Sequence, residues 1–362
     1  MVVLFLISVI AVLIAYLGPR YNIKSYLFVA FSLIFIISAI RYEYGNDYHS
    51  YKLIFNDVCS TTSSLFDIFK YSDKYSQELG WVVVNYLFKP FGFVPLIMAI
   101  SLFFSIAYYK FIKRFVAPRW QWLALVVYLF EYSFFPLQLS MMRQGVAIAL
   151  FVCAIPYIVD RRILPPLILV LLASTFHVSA LVLLPVIFIG FLPRKLMFIV
   201  PIVLAAVFLL FMLKPDLTTV AFSYMLDNED VLNYAEHYMA GSEDVTFRLG
   251  YFVQLIPYVV FLYFIFKSST SAEDKILLSI ASAALVIMPL GTIVNLAMRV
   301  SYYFSIVSIV AIPNAYSRIK GIKLYGLLAI YLVITLYAYY NFFNNPVYIN
   351  YYLHFKSLFS AI

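Results

Sequence analysis

The chain has 362 residues, of which 65% are hydrophobic and 12% are charged. A soluble globular domain is roughly half apolar and about a quarter charged, so this chain lacks the polar surface that a water-soluble enzyme needs. Cys59 and Cys153 stand far apart and provide neither a disulfide framework nor a metal-thiolate cluster. The composition predicts a polytopic membrane protein, in which the net charge of +8 reports orientation and not nucleic-acid binding.

A membrane-spanning helix needs ~20 mostly apolar residues, and uncharged runs of about that length recur along the chain. They predict about twelve membrane elements in one all-α transmembrane domain over residues 1–362. The short runs on either side of His177 predict either two half-depth segments or one bent hairpin. The first run lacks a basic n-region, which favours a retained helix over a cleaved signal peptide. The runs are 2–17, 25–40, 91–109, 120–139, 145–159, 163–176, 178–192, 196–213, 249–266, 276–298, 300–316 and 324–343.

The loops between these runs alternate in charge, and this alternation predicts the orientation. One set of loops holds 15 of the 25 basic residues and three of the 17 acidic residues. The positive-inside rule assigns that set to the cytoplasm and both termini to the opposite side. The other set contains two long polar segments, residues 41–90 and 214–249, which we expect to be external, or periplasmic. Because the elaborate polar surface is external, we expect the function to lie there.

The first external segment contains a tyrosine-rich turn and, later, an isolated glutamate. Arg41 is followed by Tyr-Glu-Tyr-Gly-Asn and then by Asp47 and Tyr48, and the Gly-Asn-Asp sequence favours a turn. The tyrosines either form an aromatic belt at the membrane interface or face sugar rings, whose hydroxyl groups Asp and Asn can bind. Glu78 stands before Leu-Gly-Trp at the start of an apolar run, where the helix dipole alone can favour a carboxylate.

Polar residues at three later places in the chain also map to the external side. Arg143 and Gln144 begin an apolar run, where an arginine either snorkels to the surface or lines a polar pocket. His177 lies at the apex of residues 163–192 and either exchanges protons near neutral pH or hydrogen-bonds a buried carbonyl group. Asn295 and Arg299 are four residues apart and share a helical face.

Arg41, Arg143, Arg248 and Arg299 therefore map to one interface, with His177 at the same level. Four guanidinium groups gathered at the outer leaflet would repel one another without an anion. Arginine is always charged and binds phosphate oxygens through a planar fork of donors. The arrangement predicts a pocket for a lipid-linked phosphate or diphosphate.

Read in order, these residues resemble the Wzy/EpsG-type bacterial polysaccharide polymerases, which assemble O-antigen, capsule or exopolysaccharide from repeat units. The resemblance runs from Arg41 to Phe304 and departs from the family at Val178, where proline is frequent. We expect that change to alter the local bend more than the chemistry. The matching pieces are Arg41-x3-Gly45-x-Asp47-Tyr48-x2-Tyr51, Glu78-x-Gly80, Met142-Arg143-Gln144-Gly145-Val146-Ala147, Ala173-Ser174-x2-His177-x-Ser179-Ala180 and Arg299-x3-Tyr303-Phe304.

The resemblance implies a membrane glycosyltransferase of GT-C-like architecture in the bacterial inner membrane, with its site at the external face. It implies a donor and an acceptor that are both oligosaccharides on undecaprenyl diphosphate, with undecaprenyl diphosphate as the released product. It also implies a role in lipopolysaccharide or related polysaccharide biosynthesis and a chain-length-regulating co-polymerase as a partner. No cofactor, metal or nucleic acid is expected.

The predicted catalytic residues are Arg143 and Arg299 on the diphosphate and His177 as general base or diphosphate contact, with Glu78 as the second choice for the base. Arginine charge would stabilise the leaving diphosphate, and a base would take the proton of the acceptor hydroxyl. The predicted substrate-binding residues are Arg41, Asp47, Tyr48, Gln144, Arg248 and Tyr303.

Three other functions stay open at this point. An O-antigen ligase would use the same donor and transfer the glycan to lipid A-core. A flippase or transporter of lipid-linked glycans would need a continuous polar path through the bilayer, and the chain lacks matched interrupted helices of the inverted-repeat kind. A membrane acyltransferase would need a buried histidine that faces the cytoplasm.

Overall fold

The structure is a computed structural model that describes residues 2–75, 77–193, 196, 256–267, 270–284, 295–346, 349–352 and 355–360. Regular structure in these ranges is helical, apart from an antiparallel bridge between Arg41 and Ser357. The predicted all-α class is therefore confirmed. The predicted external segment 214–249, which includes Arg248, lies outside the described residues.

The described helices follow most of the predicted apolar runs closely, and the first run coincides with the first helix. Short 3₁₀ segments cover Pro118–Trp120, Val178–Leu183, Pro185–Phe191 and Leu358–Ser360. The α-helices are α1 (Val2–Leu17), α2 (Tyr26–Ala39), α3 (Tyr48–Thr61), α4 (Leu65–Tyr75), α5 (Leu79–Phe88), α6 (Phe93–Phe115), α7 (Gln121–Phe130), α8 (Phe135–Gln138), α9 (Met142–Val159), α10 (Leu164–Phe176), α11 (Ile256–Phe266), α12 (Ala272–Ser282), α13 (Asn295–Ser305), α14 (Ser308–Tyr316), α15 (Ile322–Asn344) and α16 (Ile349–Tyr352).

Within the described ranges, α6, α9 and α15 are long and apolar enough to cross a membrane. Shorter apolar helices accompany them, among them α1, α2, α5 and α10. The most apolar window of α9 is 72% buried and that of α15 only 17%, so α9 lies in the centre of the bundle and α15 at its periphery. α9 packs against α6 and α10. The count of twelve membrane elements and the GT-C-like arrangement stay predictions.

Three predicted runs differ from the structure. Run 120–139 is not one helix, because α7 ends before Glu131 and α8 begins with Pro136 in its first turn. Run 178–192 forms two 3₁₀ segments, the second of which begins at Pro185. The backbone of His177 is extended (φ −159°, ψ 112°) at the end of α10, and the chain turns back there, as in the bent-hairpin alternative. Run 300–316 is divided between α13 and α14.

Loops that the charge pattern places on one side of the membrane contact each other in the structure. Arg114, at the end of α6, lies 3.5 Å from Asp160 Oδ1 and 3.5 Å from Glu273 Oε1, and Arg318 pairs with Asp274. We call these five residues, together with Asn314, the Asp274 cluster. At the opposite end of the bundle, Lys356 Nζ lies 3.1 Å from Glu43 Oε2. The contacts support the grouping of the loops, while the side that faces the cytoplasm stays a prediction.

Candidate active site

Glu78 connects two other predicted site residues through the two oxygens of its carboxylate. Oε2 accepts a hydrogen bond from Arg143 Nη1, and Oε1 lies 3.3 Å from His177 Nδ1. Arg143 Nη1 also donates to Gln77 Oε1 at 3.2 Å. We call these four residues the Glu78 cluster. It joins the residue before α5, the first turn of α9 and the end of α10.

The Glu78 cluster is largely shielded from solvent, with 17% of the Glu78 side chain, 16% of His177 and 29% of Arg143 exposed. Burial raises the pKa of Glu78, but the hydrogen bond with His177 and the charge of Arg143 outweigh it and hold the pKa below its ordinary value. Glu78 is therefore an ionised acceptor at neutral pH and a weak base. The geometry favours a positioning role for Glu78 over the predicted second choice as general base.

His177 has one ring nitrogen engaged and the other open. Because Nδ1 faces a carboxylate, the neutral ring carries its proton on Nδ1 and a lone pair on Nε2. Nε2 is buried and has no hydrogen-bond partner among the described residues. Buried polar atoms are normally paired, so an open acceptor beside an arginine and a carboxylate marks a candidate functional site.

Gly80 explains how Glu78 reaches His177. A Cβ atom on Gly80 would lie 2.3 Å from Thr175 Oγ1 and 2.9 Å from the Thr175 backbone oxygen. Only glycine lets the first turn of α5 approach the last turn of α10 this closely. The Glu78-x-Gly80 pattern thus combines a carboxylate with the contact that positions it.

The tyrosine-rich turn lies against the residues that precede α9. Gly45 has φ +105°, and a Cβ atom there would lie 3.1 Å from Ser140 Cα, so both the backbone angle and the close approach favour glycine. The Asp47 backbone N–H donates to Ser140 Oγ at 3.3 Å, and Ser140 Oγ donates to Asn46 Oδ1. These contacts bring the start of α3 to the start of α9.

The Asp47 carboxyl group is within electrostatic reach of two predicted site arginines. Burial raises the pKa of Asp47 above its ordinary value, although the charges of Arg299 and Arg143 and the hydrogen bond with Ser140 oppose the shift. Asp47 therefore lies within electrostatic range of Arg299 and of Arg143, which belongs to the Glu78 cluster.

Gln144 and Ser179 hold α13 at this end of the bundle. Gln144 Nε2 donates to the backbone oxygen of Arg299 at 2.6 Å, and Ser179 Oγ lies 3.3 Å from Tyr303 Oη. α13 consequently packs beside the first turn of α9 and the segment after His177.

Some predicted substrate contacts have no support in the structure. Arg41 is only 2% exposed and donates through Nη1 to the Ser38 backbone oxygen and, at 2.9 Å, to Ser101 Oγ, so it connects α2 to α6. Tyr48 and Tyr303 are also fully buried, and a sugar cannot stack on a ring that has no exposed face. Their burial favours packing roles. At Arg143, the Glu78 carboxylate already supplies a countercharge.

Two residues beside Arg143, Tyr51 and Gln77, are not among the predicted site residues. The Arg143 guanidinium carbon lies 5.7 Å from the centre of the buried Tyr51 ring, within cation–π range, and this ring packs against Trp81 at 5.0 Å. Tyr51 follows Asp47 by one helical turn, and Gln77 is adjacent to Glu78, so helical spacing and chain proximity were the available indications.

Among the residues that the structure describes, no group of three or more His, Cys, Asp or Glu side chains is arranged to hold a metal ion. At this end of the bundle, the described groups that could take part in a reaction are the charged arginines, the carboxylates and the open imidazole nitrogen of His177.

Fold and site together define a helical membrane protein with a buried carboxylate–imidazole–guanidinium cluster at one end of the bundle. The EpsG family matches residues 24–356, and the chain belongs to that family. This confirms the resemblance, and the matched region contains the whole Glu78 cluster, Asp47 and Arg299. No curated protein and no solved structure shows significant similarity to the chain. The family suggests a polymerase-type function in polysaccharide biosynthesis at a membrane.

Proposed function

We propose that this protein joins undecaprenyl-diphosphate-linked oligosaccharide repeat units by glycosyl transfer at the periplasmic face of the bacterial inner membrane. Family membership supports the class of reaction. The observation that carries the proposal is the Glu78 carboxylate, which contacts Arg143 and His177 at once and leaves His177 Nε2 open. A base and a cation for an anionic leaving group are what such a transfer needs.

In the proposed reaction, a hydroxyl oxygen of the acceptor attacks the anomeric carbon at the reducing end of the donor glycan. The bond from that carbon to the diphosphate oxygen breaks, and undecaprenyl diphosphate leaves with the electron pair. The hydroxyl proton moves to His177 Nε2. The imidazolium ion that forms is stabilised by Glu78, whose carboxylate already faces Nδ1. A direct displacement of this kind inverts the anomeric configuration.

Arg143 is proposed to bind the diphosphate while it stays paired with Glu78. Its contacts to Glu78 and Gln77 both use Nη1, and Tyr51 forms a further side-chain hydrogen bond with the guanidinium group. Because a guanidinium group carries five N–H donors over three nitrogens, donors remain for phosphate oxygens. Arg299 is proposed to contribute a second positive charge, and Asp47 to orient the acceptor between the two arginines.

A deletion strain complemented with variants tests this function. Arg143→Ala should insert normally yet leave single repeat units in place of polymer, and Arg143→Lys should lose most activity because lysine lacks the bidentate fork. Lys113→Ala is the matched control, since Lys113 is an exposed basic residue near the far end of α6, where it donates to the Tyr109 hydroxyl at 3.0 Å. Glycan gels and immunoblots of the membrane fraction measure both effects.

The same assay separates the alternatives. Normal polymer from Arg143→Ala would remove the proposed diphosphate site. Loss of every glycan from the lipid A-core acceptor, including single units, would indicate a ligase. Accumulation of lipid-linked repeat units on the cytoplasmic leaflet would indicate a flippase.

A further inference from the structure

An apolar cavity of about 290 Å³ lies beside the Glu78 cluster, between α5, α6, α9 and α10. Every residue that lines it is apolar. Its wall continues directly from the cluster along the chain: Trp81 follows Glu78 by one turn, Val146 follows Arg143 by one turn, and Phe176 precedes His177. The cavity wall therefore begins about one helical turn from the charged cluster on α5 and α9, and one residue from it on α10.

The cavity borders the face that α10 turns away from the bundle. Leu172 lines the cavity and is 45% exposed, and its neighbours Ile168 and Leu171 on the same helix are exposed large apolar residues as well. In a membrane protein such a face contacts lipid. An apolar chain can thus enter sideways from the bilayer while a polar headgroup attached to it stays at the Glu78 cluster.

We propose that this cavity binds the first isoprene units of a polyprenyl diphosphate whose diphosphate contacts Arg143. The inference rests on the proposed function, which requires a lipid-linked diphosphate at Arg143. Two features of the site match such a ligand, an arginine for the anion and a carbon-only cavity next to it for the chain. Sites that enclose a whole small ligand measure ~300–1,000 Å³, so this cavity holds the headgroup end of the chain and leaves the rest in the bilayer.

The lining also favours an isoprenoid over a straight acyl chain. Four aromatic rings, those of Trp81, Phe88, Phe103 and Phe176, surround the cavity. Flat rings pack closely on the double bonds and methyl branches that recur along an isoprenoid chain. This choice of occupant gives the test a clear competitor, the acyl chain of a phospholipid.

The test uses the full chain in phospholipid nanodiscs and a farnesyl diphosphate that carries a diazirine at the end of its tail. In the wild type, light should attach the probe to peptides of α5, α6, α9 and α10, and inorganic diphosphate should compete. Ala99→Phe fills the cavity from α6 and should reduce labelling at least about tenfold. Leu102→Phe is the matched control, because it adds a ring to the exposed side of the same helix and should label like the wild type.

Ala99→Leu adds less volume and should reduce labelling to an intermediate level, which keeps the test informative if Ala99→Phe folds poorly. Equal labelling of Ala99→Leu, Ala99→Phe and the wild type would overturn the inference. Labelling of the same peptides by a diazirine phospholipid that farnesyl diphosphate fails to displace would overturn it as well. Neither result affects the polymerase assay of Arg143→Ala.

The converse failure has a different signature. If Ala99→Phe abolishes labelling while Arg143→Gln and inorganic diphosphate leave it unchanged, the cavity binds the isoprenoid chain but the headgroup lies elsewhere. That result would remove the proposed diphosphate site at Arg143 and leave the cavity assignment standing.

Discussion

The Glu78 cluster and the Asp274 cluster lie at opposite ends of the bundle, and each contains a carboxylate that is paired with an arginine. In the Asp274 cluster the remaining contacts are structural. Ser271 Oγ accepts from the Asp274 backbone N–H at 3.1 Å and begins α12, and Asn314 Nδ2 donates to Asp274 Oδ1 at 3.0 Å and to the Phe115 backbone oxygen at 2.9 Å. The carboxylate thus joins α6, α12 and α14.

In the Glu78 cluster, the carboxylate instead contacts an imidazole whose far nitrogen is buried without a partner in the described part of the chain. An unsatisfied buried polar group costs about 1–3 kcal/mol, and a substrate hydroxyl bound at Nε2 would remove that cost. The two carboxylate–arginine pairs thus differ in what else the carboxylate contacts, and the proposed site is the pair that lies beside this open acceptor. This difference predicts that substitutions in the Glu78 cluster lower activity and that substitutions in the Asp274 cluster lower stability.

The largest expected effect is on His177. His177→Ala should lower the polymerisation rate ~10²–10⁴-fold, the usual contribution of a general base, while the amount of folded protein stays the same. A reconstituted assay with purified lipid-linked repeat units measures the rate, and the yield of purified protein measures the amount that folds.

Ser174→Ala is the control for His177→Ala, since the Ser174 hydroxyl bonds the Leu171 backbone oxygen of its own helix at 2.7 Å. A His177→Ala enzyme that keeps the wild-type rate would reduce His177 to a structural residue and remove the contrast between the two clusters.

Gly80→Ala should have the next largest effect. The added methyl group overlaps Thr175, so α5 and α10 must move apart and Glu78 must move away from His177. A displacement of about 1 Å at a catalytic group can cost ~10²-fold in rate. Thermal denaturation and the rate should be measured on the same preparation, so that loss of fold is separated from loss of geometry.

Gly326→Ala in α15 is the matched control, because a Cβ atom there has no other atom within 4 Å. Alanine is favoured over glycine inside a helix by about 1 kcal/mol, so this variant should be as stable as the wild type or more so. A Gly80→Ala enzyme with wild-type activity would show that the close approach of α5 to α10 does not position the site.

Arg318→Met tests the other end of the bundle. Removal of the arginine leaves the largely buried Asp274, whose side chain is 13% exposed, without its ion pair and should lower the free energy of unfolding by about 1–3 kcal/mol. The rate per folded molecule should stay the same below the melting temperature. Denaturation in detergent measures the stability, and the activity assay measures the rate. A large loss of rate without a loss of stability would indicate that the Asp274 cluster has a functional role.

The sequence predicts the helical class, the grouping of the loops and most helix bounds, because apolar runs and charge alternation are local properties. It also places Glu78, Arg143 and His177 at one level of the membrane. It does not predict that Glu78 contacts both partners, since these contacts join residues 65 and 99 positions apart and depend on how each helix is rotated.

Side-chain packing also bears on the predicted substrate contacts at Arg41 and Tyr48. Arg41 and Tyr48 belong to the same external segment as Asp47, yet their side chains point into the bundle. A chain segment fixes the depth of its residues in the membrane, whereas packing decides which of them face a cavity. The same holds for Gly80. The sequence pattern Glu78-x-Gly80 gives no information about the Thr175 backbone, which only glycine can approach this closely.

The smallest expected effect is on the pH dependence of stability. The pKa of Glu78 is lowered in the folded protein, so the stability that its charge contributes is present above the unfolded pKa of ~4.3 and is lost as the pH falls through the folded pKa. The stability difference between the wild type and Glu78→Gln should therefore shrink on acidification.

Asp47 should show a pH dependence of the opposite sign. Because its pKa is raised in the folded protein, the wild type loses stability as the pH rises, and Asp47→Asn should become more stable relative to the wild type toward neutral pH. Denaturation of the three proteins from pH 3 to pH 7 measures both slopes, and slopes of the same sign would contradict the electrostatic arrangement of the site.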